Sequence, residues 1–181
     1  EIASCLVGSE MCIRDSIGVA TEAVADYPGL LNLPCYRWSH SIIVPKGHPL
    51  SAHEGGISLS QLSRYPIITY GRGYTGRAHI DEAFARAGIT PDIVMTAMDA
   101  DVIKTYVELE LGVGIVAAVA WDAERDTRLC AIDARHLFEI NLTRLAIRRG
   151  AWLRGYAFHF IEMFVPTLTR AVVDQALKGE G

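Results

Sequence analysis

The chain has 181 residues, of which 50% are hydrophobic and 21% are charged, a balance typical of a globular protein with a buried core. Its formal net charge of −4 argues against a nucleic-acid-binding surface on this segment, because such surfaces are usually basic. The four cysteines form no C-x-x-C pair, so neither a disulfide framework nor a zinc site is predicted. No apolar run approaches the length of a membrane span, and no basic start precedes an apolar block, which predicts a cytoplasmic protein without membrane contact.

The first predicted element is a short buried strand at residues 17–20. Thr21 directly follows it, at the position where α/β proteins place ligand-contacting residues. We therefore regard Thr21 as a candidate ligand contact, with a turn cap as the alternative. An extended segment at 31–38 and a strand at 41–44 come next. Trp38 lies between them, where a tryptophan is more often part of the core, and ligand contact is the alternative.

The most informative stretch runs from residue 65 to residue 88, where a strand, a turn and a helix follow one another. The β-branched and aromatic run 66–70 predicts the strand. The glycine turn, residues 71–77, follows, and its three glycines give the backbone freedom that lets a ligand approach the main chain. Apolar residues at spacings of three and four from Ile80 predict a helix, which Gly88 would end as a left-handed C-cap.

This arrangement predicts an anion-binding site at the start of the helix. The first helical turn directs N–H groups and the positive end of the helix dipole into the glycine turn. The Thr75 hydroxyl and the Arg77 guanidinium lie beside these groups in the sequence, and Gly76 stands at the helix N-terminus. We expect a small anion to accept hydrogen bonds from Thr75 and from the N–H groups near Gly76.

The glycine turn also matches the G-x-G-x-x-G pattern of dinucleotide-binding proteins, through Gly71, Gly73 and Gly76. Asp99, which follows the next predicted strand, would take the place of the acidic residue in that pattern. A nucleotide-dependent enzyme is therefore an alternative, although bulky residues stand where a close pyrophosphate usually requires small ones. No G-x-S-x-G, H-E-x-x-H or P-loop motif is present and the six histidines are scattered, so we predict a protein that is not an enzyme and has no cofactor or metal.

Strands and helices continue to alternate after the glycine turn. Strands are predicted at 93–98 and 115–119, with a helix at 102–109 between them that Asp99 or Asp101 would cap. The resulting β-α-β-α-β order, with nearly continuous apolar strands, is typical of a parallel sheet that is covered on both faces.

The last part of the chain predicts one more strand, at 142–147, and two helices. Trp152, Tyr156 and Phe160 are spaced as one helical face, which favours a core stripe over a cofactor-binding surface. Pro166 is expected to end this helix and to precede a final one.

Six segments of the chain resemble the effector-binding domain of LysR-type transcriptional regulators, and specifically the CysB and Cbl branch. The similarity runs from residue 17 to about residue 177. The run at 99–107 is too specific to be a chance match. The segments that carry it are Ala20–Ala23, Leu33–Trp38, His48–Leu50, Thr75–Arg77, Asp99–Val107 and Ile147–Gly150.

This resemblance implies an α/β, periplasmic-binding-protein-like fold of type 2, with two Rossmann-like lobes and the effector in the cleft between them. The second lobe is inserted into the first, so residues 17–38 and 138–181 are assigned to a partial lobe I and residues 39–137 to lobe II. The implied effectors are N-acetylserine, O-acetylserine, sulfate or a related anion. The ligand-binding residues expected from this resemblance and from the patterns above are Thr21, Trp38, Thr75 and Gly76.

The resemblance also implies regulation of sulfur assimilation and cysteine biosynthesis by a homo-oligomer, expected to be a tetramer, on promoter DNA. The DNA would be bound by an N-terminal helix-turn-helix that these residues do not contain. An exported, periplasmic solute-binding protein is a further alternative, which the lack of a signal sequence disfavours.

Two features depart from the family pattern. Glu110 stands before Leu111 at a position where the family usually has glycine, so a left-handed turn there would cost about 1 kcal/mol. Residues 1–16 read as loop and do not resemble the family, and we hypothesise that they are an artefact of truncation or sequence assembly. The chain would then hold only part of its effector site.

Overall fold

The structure of the chain, a computed structural model, describes residues 11–13, 17–20, 27–52, 56–74 and 76–179. These residues form two compact units. The first unit consists of the residues up to Tyr36 together with those from Leu142 onward, and the second is the continuous segment Arg37–Asn141. Both units contain strands and helices, which confirms the predicted α/β class. None of the described helices is both long enough and apolar enough to cross a lipid bilayer.

Strands and helices alternate between residues 59 and 117, as the sequence patterns predict. The strands are β1 (Met11–Ile13), β2 (Ile17–Ala20), β3 (Leu30–Trp38), β4 (His40–Pro45), β5 (Ile67–Tyr70), β6 (Ile93–Ala97), β7 (Val113–Ala117), β8 (Leu129–Asp133) and β9 (Asn141–Arg148). The α-helices are α1 (Leu59–Leu62), α2 (Arg77–Arg86), α3 (Ala100–Glu108), α4 (Gly155–Phe164) and α5 (Arg170–Lys178). The short strands β1 and β8 were not predicted, and β1 lies in the stretch that read as loop.

Among the described residues of the first unit, four strands form one sheet in the order β1-β2-β9-β3. Strand β2 pairs antiparallel with both β1 and β9. Leu145 and Ile147 of β9 share a buried apolar cluster with Phe158 and Ile161 of α4 and with Val173 of α5. The two C-terminal helices are thus part of the core of this unit.

The predicted aromatic core stripe of the C-terminal region is wrong. Trp152 is 83% exposed and Tyr156 is 62% exposed, while Phe160 is only partly buried against the core. The buried stripe has the same spacing but lies one residue later, on Leu153, Ala157 and Ile161. Trp152 also precedes the helix, which begins at Gly155, so a helical face does not determine its position.

In the part of the second unit that the structure describes, five strands form one sheet in the order β6-β5-β7-β4-β8. Strand β5 pairs parallel with β6 and β7, whereas β4 pairs antiparallel with β7 and β8. Neighbouring residues of β5 belong to different apolar clusters, Ile67 to one and Ile68 to the other. Successive side chains of a strand point to opposite faces, so this sheet has an apolar cluster on each face.

The predicted β-α-β-α-β segment is present, but one of its strands is not fully buried. Strand β6 lies at the edge of the sheet, with Val94 52% exposed and Met98, just beyond its end, 68% exposed. The residues of β6 alternate between partly buried and exposed, so the side chains on one face of this edge strand reach solvent. The prediction of continuous burial is therefore wrong for β6.

The C-terminus of α2 and the N-terminus of α3 have the caps that their sequences predict. Gly88 has φ 67° and donates its N–H to Ala85 at 3.0 Å, while Ile89 N–H donates to the Phe84 carbonyl at 3.0 Å, the paired bonds of a Schellman motif. Helix α3 begins at the N-cap Asp99, whose carboxylate accepts the Asp101 N–H at 2.6 Å.

Candidate functional site

The candidate site lies at the glycine turn, where β5 ends at Tyr70 and α2 begins at Arg77. Gly76 is the N-cap of α2, with φ 80° and no side-chain cap, and the first turn of α2 contains no acidic residue. The first N–H groups of a helix have no acceptors within the helix. The Arg77 N–H donates to the Tyr74 carbonyl at 3.2 Å, so the described part of the turn presents a helix N-terminus without a side-chain cap, in which the N–H groups after Arg77 are the candidates for binding an anion.

Trp38 and Gly76, both predicted as site residues, lie next to each other. A Cβ atom placed on Gly76 would lie 2.9 Å from Cη2 of Trp38 and 2.5 Å from Nε2 of His40. Trp38 is half-buried, and its ring meets the His40 ring edge-on with centroids 5.3 Å apart. The structure thus places the six-membered ring of Trp38 beside the N-terminus of α2.

His40 is the site residue that the sequence reasoning missed. It is 1% exposed, although all six histidines read most simply as surface or turn residues. A signal was available, because His40 directly precedes the apolar strand predicted at 41–44, and a histidine at the start of such a run is expected to be buried as well.

Thr21 and Thr75, the two predicted threonine contacts, lie outside the described residues. Their roles as hydrogen-bond donors to an effector stay predictions. Strand β2 ends at Ala20, directly before Thr21, as predicted. The described part of the glycine turn lies on both sides of Thr75.

Arg77, which was expected to lie beside the bound anion, is held by protein groups. It is 4% exposed, its Nε donates to Asp81 Oδ1 at 2.8 Å, and its Nη1 donates to the Tyr70 carbonyl at 2.6 Å. The bond to the Tyr70 carbonyl joins the first residue of α2 to the last residue of β5. The Arg77 guanidinium therefore braces the glycine turn, and Asp81 balances part of its charge.

Tyr70 also connects the glycine turn to β7. Its hydroxyl oxygen accepts the Ala117 N–H at 3.1 Å, at the end of β7. Burial raises the pKa of Tyr70, and the bond from Ala117 opposes part of that rise. The phenol is therefore neutral at physiological pH and acts as a fixed acceptor.

A buried lysine holds the segment that follows β7. Lys104 Nζ lies 2.8 Å from Asp101 Oδ1, 3.0 Å from Asp126 Oδ2 and 2.8 Å from the Ala120 carbonyl. Burial disfavours the charged ammonium, but the bonds to the two aspartates outweigh it and raise the pKa of Lys104. All three N–H donors of the ammonium have acceptors, so we assign Lys104 a structural role.

Among the described residues, one group has side chains that could hold a metal ion. The ligand atoms of His79, Glu82 and Glu139 lie within 4.8 Å of one another. Arg86 lies 2.8 Å from Glu139 and 4.0 Å from Glu82, so a guanidinium already neutralises part of the charge that would attract a cation. We therefore assign this group as a surface ion-pair cluster.

An open pocket of about 920 Å³ is lined by α2, by residues 89–93 and by Thr96, and it does not include Gly76, Trp38 or His40. Its wall carries both charges, contributed by Arg72, Arg77, Asp81 and Asp92. Arg77 and Asp81 already pair with each other. We therefore place the candidate anion site at the helix N-terminus, where no carboxylate of the first turn competes, and not in this pocket.

The geometry also disfavours the dinucleotide alternative. The Tyr74 ring folds over Gly71, with Cδ2 3.3 Å from the position of a Cβ on that glycine. Asp99, which would bind a ribose in that pattern, instead caps α3. A pyrophosphate needs open backbone in the turn, and Tyr74 occupies part of that space.

Comparisons with known proteins agree on one family. The family model described as LysR substrate binding domain matches residues 15–169. The chain is 53% identical over 162 residues to the HTH-type transcriptional regulator SsuR of Burkholderia cenocepacia, a match that covers 90% of this chain and 52% of that protein. It is 49% identical over 174 residues to the HTH-type transcriptional regulator CysB of the same organism, covering 95% of this chain and 55% of that protein.

A solved structure is also similar over most of the chain. The cofactor-binding domain of the Cbl transcriptional regulator aligns with a TM-score of 0.82 and 40% identity, covering 90% of this chain and 71% of that one. The chain spans about half the length of the curated relatives named above.

Proposed function

This chain belongs to the family of LysR substrate-binding domains, and on that premise we propose that it senses a small anionic effector for a transcriptional regulator of sulfur assimilation and cysteine biosynthesis. Its fold is the predicted periplasmic-binding-protein-like fold of type 2, which it shares with the Cbl cofactor-binding domain. The relatives SsuR and CysB are transcriptional regulators. This supports a sensor that is not an enzyme.

The uncapped N-terminus of α2 at Gly76 is the observation that carries the proposal. A small anion would accept hydrogen bonds from the N–H groups that follow Arg77 in the first turn of α2, where the helix dipole also favours negative charge. Trp38 would cover one side of the anion. Thr21 and Thr75 are proposed as additional hydroxyl donors.

The proposed effectors are N-acetylserine, O-acetylserine, sulfate or a related anion. Each offers an anionic or carboxylate oxygen for the helix N-terminus, and the acetylserines add a short polar chain. Binding would shift the protein toward the conformation that holds the effector more tightly. We propose that this shift is relayed to a helix-turn-helix elsewhere in the longer protein, which would act on promoter DNA as a homo-oligomer.

Calorimetric titration of the full-length gene product tests this proposal. The ligands are N-acetylserine, O-acetylserine, sulfate and NADH, and the variants are Thr75→Ala and the matched control Thr127→Ala, which changes an exposed loop threonine. We expect an acetylserine or sulfate to bind the parent and the control alike, and to bind Thr75→Ala about tenfold more weakly, the effect of losing one charge-assisted hydrogen bond. Binding of NADH alone would overturn the proposal in favour of a nucleotide-dependent enzyme.

A further inference from the structure

A buried imidazole lies directly beneath the N-cap of α2. His40 is 1% exposed and opens β4, where it pairs with Ala117 of β7. Its ring lies between two aromatic rings, with centroids 5.3 Å from Trp38 and 5.3 Å from Phe138, both in edge contacts. Neighbours on both sides therefore fix the position of the imidazole.

The imidazole fills the space in which any side chain at position 76 would begin. A Cβ on Gly76 would lie 2.5 Å from Nε2 and 3.1 Å from Cε1 of His40. Packed carbon and nitrogen atoms do not approach so closely, so the ring or the turn would have to move. The ring has little freedom to do so, because it is buried between Trp38 and Phe138.

Two independent constraints therefore act on Gly76. Its φ of 80° lies in the left-handed region that disfavours side chains. The His40 ring also occupies the space that a Cβ on the observed backbone would need. The same contact also limits movement of the turn toward β4, so it fixes the direction of the first N–H groups of α2.

We propose that His40 is a positioning residue for anion binding. Its ring holds Gly76 in the left-handed conformation that points the N-terminus of α2 at the effector, and it holds the Trp38 ring beside that N-terminus. This inference rests on the proposed function, because it assigns His40 a role in the same site. His40 itself does not have to touch the effector.

The test is a double-mutant cycle on the full-length gene product with Gly76→Ala, His40→Ala and the two combined. Thermal unfolding without ligand measures how strongly the contact between His40 and Gly76 affects stability. We expect Gly76→Ala to lower the Tm of the parent by about 6 °C and to lower that of His40→Ala by about half as much, because only the backbone penalty is left when the ring is absent. Equal losses in both backgrounds would show that His40 does not constrain Gly76, and would overturn the proposal.

Effector titration of the folded variants measures whether His40 contributes to the affinity for the anion. With N-acetylserine and sulfate as probes, well below each Tm, we expect His40→Ala to raise the Kd about tenfold. His40→Gln, which keeps a polar atom near the position of Nε2, should restore much of the affinity. The control His159→Ala removes an exposed histidine of α4 and should leave the Kd unchanged.

The two measurements separate failure of this inference from failure of the proposed function. An unchanged Kd in His40→Ala overturns the positioning role while leaving the anion site intact. Failure of the parent to bind either probe overturns the proposed function and the positioning role with it. In that case the unfolding cycle still decides whether His40 constrains Gly76.

Discussion

The Nη1 atom of Arg77 donates a hydrogen bond of 2.6 Å to the carbonyl oxygen of Tyr70. This bond joins the first residue of α2 to the last residue of β5, so the Arg77 side chain connects the two ends of the glycine turn. Asp81, one helical turn later, accepts from Arg77 Nε at 2.8 Å. The three groups form a small, partly buried network that holds the start of α2 against the end of β5.

We expect Arg77→Ala to lower the free energy of unfolding by about 2–4 kcal/mol, because it leaves the Tyr70 carbonyl and the Asp81 carboxylate without these partners. Urea denaturation followed by circular dichroism measures the loss. The matched control is Arg86→Ala on the same helix, whose side chain is 60% exposed and should cost less than about 1 kcal/mol. Similar losses in the two variants would contradict a bracing role for Arg77.

The strand, turn and helix around residue 76 could be predicted because every signal is local. β-Branched residues, three glycines and the apolar spacing from Ile80 act within a few residues of one another. The contact between Gly76 and His40 could not be predicted in this way, because β4 is distant in sequence and nothing local says which strand lies beneath the turn. The same limit applied to Arg77, whose conformation depends on partners from two elements.

The segment 152–161 shows how an apolar spacing can be real and still be assigned to the wrong residues. Leu153, Ala157 and Ile161 have the same spacing as the predicted aromatic stripe and lie one position later. Periodicity alone does not choose between two adjacent apolar faces. The smaller aliphatic face is the one packed into the core, and the aromatic face is left largely exposed.

This assignment predicts a large difference between two aromatic residues of α4. Phe158 is 6% exposed and lies under the Arg170 guanidinium, whose Cζ is 4.7 Å from the ring centroid. We expect Phe158→Ala to lower the free energy of unfolding by about 3–5 kcal/mol, and Tyr156→Ala, which changes an exposed ring, to alter it by less than about 0.5 kcal/mol. Urea denaturation of the two variants checks this, and a larger loss for Tyr156→Ala would contradict the assigned face.

The buried ammonium of Lys104 leads to a prediction for the segment after β7. Lys104→Met would leave Asp126, which is 9% exposed, without its ion-pair partner. We expect a loss of about 3–5 kcal/mol in the free energy of unfolding, as for other buried pairs that lose one member. Asp101→Asn is the control, since the Asp101 side chain is 67% exposed and its pair should be worth less than about 1 kcal/mol.

The stabilisation by Lys104 should also depend on pH in one direction. The pKa of Lys104 is raised in the folded protein, because its aspartate partners outweigh the opposing effect of burial. Its contribution is therefore fully present below the pKa of an unfolded lysine, about 10.4, and is lost as the pH rises through the higher folded value. Urea denaturation at about pH 7, 9 and 11 brackets this unfolded pKa. The stability difference between the parent and Lys104→Met should be the same at the two lower pH values and smaller at the highest. A difference that does not shrink at the highest pH would contradict this assignment.

Glu110 offers a stabilising substitution. It is the one residue other than glycine with positive φ, 60°, among those that the structure describes. Its N–H donates to the Val107 carbonyl at 2.9 Å and the Leu111 N–H donates to the Tyr106 carbonyl at 3.2 Å, so it occupies the left-handed position of a Schellman motif at the end of α3. The strain expected there from the sequence is thus present in the backbone.

We expect Glu110→Gly to raise the free energy of unfolding by about 1 kcal/mol, because glycine adopts this conformation without the clash of a Cβ. The gain is partly offset by the greater backbone entropy of glycine in the unfolded chain. Glu124→Gly serves as the control, since Glu124 is also exposed but does not have positive φ, and it should be neutral or destabilising. Urea denaturation of both variants measures the difference, and a gain of equal size in Glu124→Gly would show that removal of a negative charge, not relief of strain at Glu110, is the cause.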